Sequence, residues 1–240
     1  MPARAQPRAH PRAHPLYDRM RELDERLAAC ASLVGGRFVC DVGTDHGKLP
    51  AFLLRAGICD RAICADMRKK PLSSARMTMD GYGISDKVLF VLSDGLDDVP
   101  LEGVTDIVIA GLGGEQMANI ITRDMRTRDP SLHLVLQPMK RPELLRRELY
   151  RAGFDLVEEH GVKAAGHLYS VMSWYYRGTP ADPGIKAFTG ALDPRRELDA
   201  AYLADRVTRL ERAALGMREQ NPDGAEEILE MTQRIRREIL

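Results

Sequence analysis

Aromatic side chains are scarce in this chain: Phe, Trp and Tyr make up 5% of its 240 residues. A surface that works by stacking rings has few partners to draw on. There is no net charge, with 35 Lys and Arg against 35 Asp and Glu. That balance argues against a nonspecific nucleic-acid coat but leaves room for local basic patches. No apolar run approaches the ~18 residues that a membrane span needs. The opening MPARAQPRAHPRAHPL lacks the apolar segment of a secretory signal, and its prolines break any amphipathic helix. Residues 1–15 read as a disordered basic tail with a short PRAH repeat. Four cysteines are present, Cys30, Cys40, Cys59 and Cys64, with no CxxC pair and no Cys/His cluster at zinc-site spacing. Cys40 and Cys64 lie in apolar runs and read as small core residues. A reducing, cytoplasmic setting fits this usage, and no metal is expected.

What is present is an ordinary globular composition, 44% hydrophobic and 29% charged, long enough for one sizeable core and an appendage. Strand and helix patterns alternate. Apolar positions step by three and four over 17–34, which predicts a helix. Short buried strands are expected at 37–43, 61–67, 87–95, 105–114 and 133–139. Helices are expected at 49–57, from Pro71 to about Gly81, after Gly114, and at 142–153. Residues 154–178 read as a closing strand pair turning around Gly161 to Gly166. Alternation of this kind predicts an α/β domain over 16–178 with a mostly parallel, Rossmann-like sheet covered on both faces. The stretch 179–192, rich in Pro, Gly and Ala, reads as a linker. Over 193–240, Leu203, Val207, Leu210, Ala214 and Met217 form a heptad seam. Asn221 and Pro222 then suit the start of a second helix. Together these predict an antiparallel, coiled-coil-like helical hairpin, free to pack on itself, on the sheet or on a partner.

The most informative stretch is CDVGTDHGKLP, residues 40–50. It begins like a nucleotide loop but carries Asp45, where a second glycine is usual, and then His46. In an open parallel sheet, ligands sit beyond the carboxyl ends of the strands. Three strands end there in an acid: Asp41, Asp66 and Asp94. Asp66 falls about where a ribose-binding acid is found. The fourth strand ends in Ala110-Gly111-Leu112-Gly113-Gly114 and the fifth in Gln137-Pro138-Met139. An Asp-His pair opposes a pyrophosphate but suits a cationic adenosine ligand that carries an amino acid, and S-adenosylmethionine is such a ligand. Each residue also has a plainer reading. Asp45 or His46 could cap the next helix, Asp94-Gly95 could be only a turn, and the glycines at 111, 113 and 114 could be only a tight strand-to-helix connection. The basic stretches, including Arg68 to Lys70 and Arg195-Arg196, could be solvated faces.

With DVGTDHGKLP, ADMRKKPLSSA, SDGL, DIVIAGLGG, LVLQPM and LYSVM in this order, the chain resembles the bacterial tRNA (adenine-N1)-methyltransferases that act on adenine 22 of tRNA. The resemblance covers roughly residues 20–178. It implies a class I methyltransferase domain, S-adenosylmethionine as cofactor, tRNA as partner, and a C-terminal helical hairpin. By motif it places Asp41, Gly43, Asp45, His46, Asp66, Met67, Asp94, Gly95, Ala110 and Gly111 on the cofactor side. His46, Gly113, Gly114, Gln137, Pro138 and Met139 fall on the catalytic, acceptor side. Lys140, Arg141, Arg146 and Arg147 are expected to hold tRNA phosphates, and Tyr82, Tyr169 and Trp174 are the rings within reach of a base. Two departures stand out: Lys48 replaces a usual aromatic residue, and Met139 replaces the Asn of a family QPN. The second keeps open a cofactor-binding scaffold without activity. A methyltransferase of the same fold acting on a small molecule or a protein is another alternative, and NAD-dependent redox chemistry is disfavoured by the missing second glycine.

Overall fold

A computed structural model describes residues 23–240. The proposed tail and the first turns of the helix expected from residue 17 lie outside the described residues. Helix α1 spans Glu25–Leu33 and is capped by Asp24, whose carboxylate accepts from the Arg26 and Leu27 amides. The remaining elements run β1 Phe38–Val42, α2 Lys48–Arg55, β2 Arg61–Asp66, α3 Lys69–Tyr82, β3 Val88–Leu92, β4 Asp106–Ala110, α4 Gly114–Arg123, β5 His133–Gln137, α5 Pro142–Arg151, β6 Phe154–Ala164, β7 His167–Tyr176, α6 Lys186–Thr189, α7 Glu197–Met217 and α8 Pro222–Glu238.

The seven strands form one sheet in the order β3-β2-β1-β4-β5-β7-β6. The first five pair in parallel, and β7 joins β5 antiparallel. Strand alternation sends side chains to two separate cores, because successive residues of a strand face opposite ways. Cys40, Ile63, Ile107, Leu134 and Trp174 pack on one face, with α4 and α5. Val39, Cys64, Val108, Val135 and Val171 pack on the other, with α1, α2 and α3. All four cysteines are free and buried. Strand order reverses between β1 and β4, which opens a crevice at their carboxyl ends. Among the described residues, no helix is long and apolar enough to cross a membrane.

The closing strand pair differs from its expectation. Strand β6 continues through Gly161, whose amide donates to Asp199 Oδ1 at 2.6 Å. The reversal is confined to Ala165 and Gly166, both at positive φ, as a two-residue hairpin turn demands. Gly161 therefore meets the first turn of α7 instead of making the turn.

The stretch 179–192 also differs from a linker. Ala187, Thr189 and Leu192 are buried. The carbonyls of Ala187 and Phe188 accept from Arg146 Nη1, the former at 2.9 Å. Beyond it, α7 and α8 run antiparallel, bridged by Arg236 Nε to Glu211 Oε1 at 2.9 Å. Leu203, Val207 and Ala214 of the seam are buried, as are Ala225 and Ile235 opposite. The base of the hairpin rests on β6 and β7.

Candidate active site

Asp41 sits near the end of β1 and Asp66 ends β2, both with little exposure. Burial pushes the Asp41 carboxyl up to about 6, and the charge of Asp66 adds to the rise. Asp66 Oδ1 accepts from the Arg68 amide at 2.8 Å, which fixes the turn leaving β2. Asp94 follows β3 with its side chain exposed, drawn toward Arg123 Nη2 at 3.6 Å. Gly43, Asp66, Met67, Asp94 and Gly95 line a common cavity of about 270 Å³. Four strand ends converge there because a parallel sheet puts all its carboxyl ends on one side. The same cavity touches Ser93, Leu112, Gln116 and Ile120. Ser93 and Leu112 belong to the motifs already named, but Gln116 and Ile120 carry none; their position opposite the strand-end acids follows only from how α4 folds back across the crevice.

Helix α2 begins after Gly47 with no side-chain cap. Neither Asp45 nor His46 serves as the cap. Both are exposed, with His46 Nε2 3.4 Å from Asp45 Oδ1. His46 adopts a left-handed backbone, φ 58°. The first-turn amides of α2 thus have no side-chain acceptor, and a carboxylate could accept from them.

On the far side, two loops are joined backbone to backbone. Gly113 bridges to Lys140, and the Gly114 amide donates to Lys140 O at 2.9 Å. A Cβ on Gly114 would stand 2.3 Å from Arg141 O, so only glycine allows this approach. Met139 N donates to Leu112 O at 2.8 Å and completes the seam. Gln137 is wholly buried, its Oε1 accepting from the Gly111 amide at 3.2 Å. Pro138 is buried beside it and Met139 is 42% exposed. Ala110 and Gly111 stand between the two halves of the crevice.

The methyltransferase domain family matches residues 23–172. The chain belongs to that family. A tRNA (adenine(22)-N(1))-methyltransferase of Bacillus subtilis strain 168 is 26% identical over 152 residues, covering 63% of this chain and 64% of that protein. The chain thus matches just under two thirds of the length of that curated relative. The crystal structure of Streptococcus pneumoniae Sp1610, a candidate tRNA (m1A22) methyltransferase, superposes with a TM-score of 0.77 at 26% identity, covering 90% of this chain and 98% of that one. The Sp1610 complex with S-adenosyl-L-methionine gives a TM-score of 0.74 at 28% identity, covering 86% and 98%.

Against this methyltransferase frame, the expected phosphate contacts divide. Lys140 and Arg141 are exposed, Arg141 paired with Glu115. Arg147 is half-buried with its guanidinium 6.0 Å from the Phe188 ring centroid. Arg146 cannot touch tRNA. It is fully buried on α5, bound to Glu159 through two donors, and it donates to the 187 and 188 carbonyls. Burial works against its charge, but Glu159 outweighs that and raises its pKa. Trp174 is likewise excluded as a stacking ring, since it is fully buried edge-on to Tyr150. Tyr82 lies under Arg55 at 4.1 Å, while Tyr169 borders Met139 and His167.

A buried Asp106-His133-Ser173 chain has the composition of a hydrolytic triad, with contacts of 2.8 and 2.7 Å. It lies at the amino ends of β4 and β5, stacked under Tyr175 at 4.7 Å, away from the crevice. Burial would raise the Asp106 carboxyl, but hydrogen bonds from His133, Thr105 and the Gly35 amide hold it below its ordinary value. The fold uses this set to tie strands together. Among the described residues, no cluster of His, Cys, Asp and Glu could hold a metal ion.

The tight Gly114 contact carries a prediction. Gly114→Ala should force the two acceptor-side loops apart and lower kcat by roughly 10²-fold, the cost of about 1 Å of misplacement. Donor affinity should stay within about twofold, because its pocket lies across the crevice; a split of kcat from donor dissociation constant, measured by calorimetry, checks it.

Proposed function

We propose that this protein transfers a methyl group from S-adenosylmethionine to N1 of an adenine in tRNA, adenine 22 by likeness to the relatives, and that it works in the cytoplasm. The observation that carries the reading is one cavity lined by Gly43, Asp66, Met67, Asp94 and Gly95, with Asp41 buried one residue behind its Val42 wall. The residues present fit the cofactor. Asp66 stands where ribose hydroxyls can donate to it. Asp41, a carboxyl that burial leaves poorly solvated, gains most from a neighbouring positive charge. The exposed Asp45 can accept from an ammonium, and the α2 amides can donate to a carboxylate. When bound, S-adenosylmethionine supplies a methyl on a positively charged sulfur, and adenine N1 takes it by in-line displacement, the C–S bond breaking as the N–C bond forms.

Adenine N1 keeps a free lone pair at neutral pH, so the protein need not supply a strong base. Its work is positioning, for which effective molarity accounts for about 7–11 kcal/mol of barrier lowering. N1 lies on the pairing edge, so the base must be unpaired or extruded before it can reach the seam. The exposure of Lys140 and Arg141 supports a role for them as phosphate contacts.

The test is incubation of the purified full chain with labelled methyl donor and unmodified tRNA transcript, followed by mapping of the modified nucleotide. Label at N1 of adenine 22, lost when that adenine is replaced, supports the reading. Label on protein or small molecules alone, or donor binding without any transfer, sinks it. Binding to tRNA should also weaken steeply with salt.

A further inference from the structure

Arg26 lies outside every motif named above, yet its side chain ends in the acceptor half of the crevice. It leaves the first turn of α1 with Asp24 behind it, Nη2 standing 3.0 Å from Asp24 Oδ2. The same guanidinium donates through Nη1 to Gln137 Oε1 at 3.0 Å and touches Met139 Sδ at 3.3 Å. Its Cζ stands 5.6 Å from the centroid of the Tyr169 ring. A Cβ built on Gly111 would lie 4.0 Å from Nη1. One side chain therefore ties together α1, the loop after β5 and strand β7, and passes beside the loop after β4.

Gln137 shows what that tie does. Two donors, Arg26 and the Gly111 amide, converge on one end of its amide and mark that end as the oxygen. Its nitrogen donates to Pro138 O at 3.1 Å. The amide is committed to bracing the two loops, and its oxygen is not turned to read a base. Arg26 suits this role better than Lys would, because a planar fork can grip an amide along its edge while its face lies on a ring. Its side chain is 22% exposed, so part of it still borders the open crevice. Asp24 offsets its charge, so Arg26 does little to oppose the positive charge that arrives on a methylated adenine.

We propose that Arg26 is a positioning residue for the methyl acceptor: it locks Gln137 and Met139, and with Tyr169 it forms the wall against which an extruded purine packs. Arginine planes and tyrosine rings both accept a stacked base. This inference rests on the methyl-transfer reading, and its test separates the two.

The full chain carrying Arg26→Ala, Arg26→Lys, Arg26→Gln, Tyr169→Ala or Arg26→Ala with Tyr169→Ala is assayed on the transcript. Arg26→Ala is expected to lower kcat about 10²-fold while donor and tRNA dissociation constants stay within about twofold. Arg26→Lys keeps the charge but loses the plane, and is expected to recover no more than about fivefold of that loss. Tyr169→Ala should cost about tenfold, and the double variant should be no worse than Arg26→Ala, because the two groups act as one wall. Wild-type kcat in Arg26→Ala, or full recovery in Arg26→Lys, overturns the proposal. Should Arg26→Ala fail to fold, Arg26→Gln and Tyr169→Ala decide by the same measures. Should the wild-type chain methylate no tRNA, the proposed function falls, and the ¹³C-methyl resonance of Met139 decides for Arg26. A shift of that resonance in Arg26→Gln sustains the lock on Met139, and an unmoved resonance removes it.

Discussion

Asp41→Asn is expected to raise the melting temperature of the ligand-free protein and, in the same variant, to abolish S-adenosylmethionine binding. The Asp41 carboxyl titrates at about 6, against an ordinary 3.8, because burial strips its water and Asp66 repels its charge. Keeping it ionised at pH 7 costs the empty fold about 3 kcal/mol. An amide of the same shape carries no such cost, so thermal unfolding should move up by several degrees, at about 2–4 °C per kcal/mol for a chain of this size. The sign with pH follows. For a carboxyl raised in the folded state, the penalty is full above pH 6 and gone below about 4, so this group makes the empty protein more stable as pH falls through that window. Donor binding needs the carboxylate, so it should weaken as pH drops below 6, by about tenfold for each pH unit. Calorimetric titration at pH 7.5 and 5, beside melting curves for both proteins, checks both halves. A variant that melts lower, or that binds the donor normally, refutes the assignment.

Arg146→Ala is expected to destabilise the fold by about 3–5 kcal/mol, since it leaves Glu159 buried without its partner. Glu159 Oε2 accepts from Arg146 Nε at 3.2 Å and from the Ala191 amide at 3.2 Å, so the carboxylate also holds the segment beyond β7. Gly190 shares the site; a Cβ there would lie 1.8 Å from Glu159 Oε2. The joint replacement Arg146→Met with Glu159→Leu removes both charges and should recover most of the loss, as replacing a buried pair with apolar groups commonly does. Urea unfolding measures the midpoints. Affinity of the folded Arg146 variants for tRNA, and its slope against salt, should match wild type. Lys140→Ala with Arg141→Ala should instead shallow the salt slope by about one to two, given about 0.9 per phosphate contact. An Arg146 variant that folds as stably as wild type but binds tRNA poorly would reverse the correction.

The strands and their terminal acids are legible because both follow local rules: apolar runs mark strands covered on two faces, and polar residues at their ends have only the crevice to serve. Arg146 was misread although a signal existed. Pro142, Leu145, Arg146 and Leu149 fall at i, i+3, i+4 and i+7, the buried stripe of α5. The adjacent Arg147 made the pair look like a basic surface. Its partner was harder to see. Simple alternation from Phe154 and Leu156 puts Glu158 inward, but a bulge between Leu156 and Glu158 shifts the register and turns Glu159 in. Gly161 reads as part of a turn because its contact with α7 spans 38 residues of chain. Arg26 was missed for the same reason: a helix before the first strand shows nothing in its own sequence of the loops it will touch after the fourth and fifth.

The four thiols are spread through both faces of the sheet, Cys40 on one and Cys30, Cys59 and Cys64 on the other. Burial raises every one, Cys59 to about 12 and the others further. At pH 8 an alkylating reagent meets no thiolate while the layers stay closed. The rate at which it marks each cysteine is then a clock for the opening of that layer, and it needs no engineered probe.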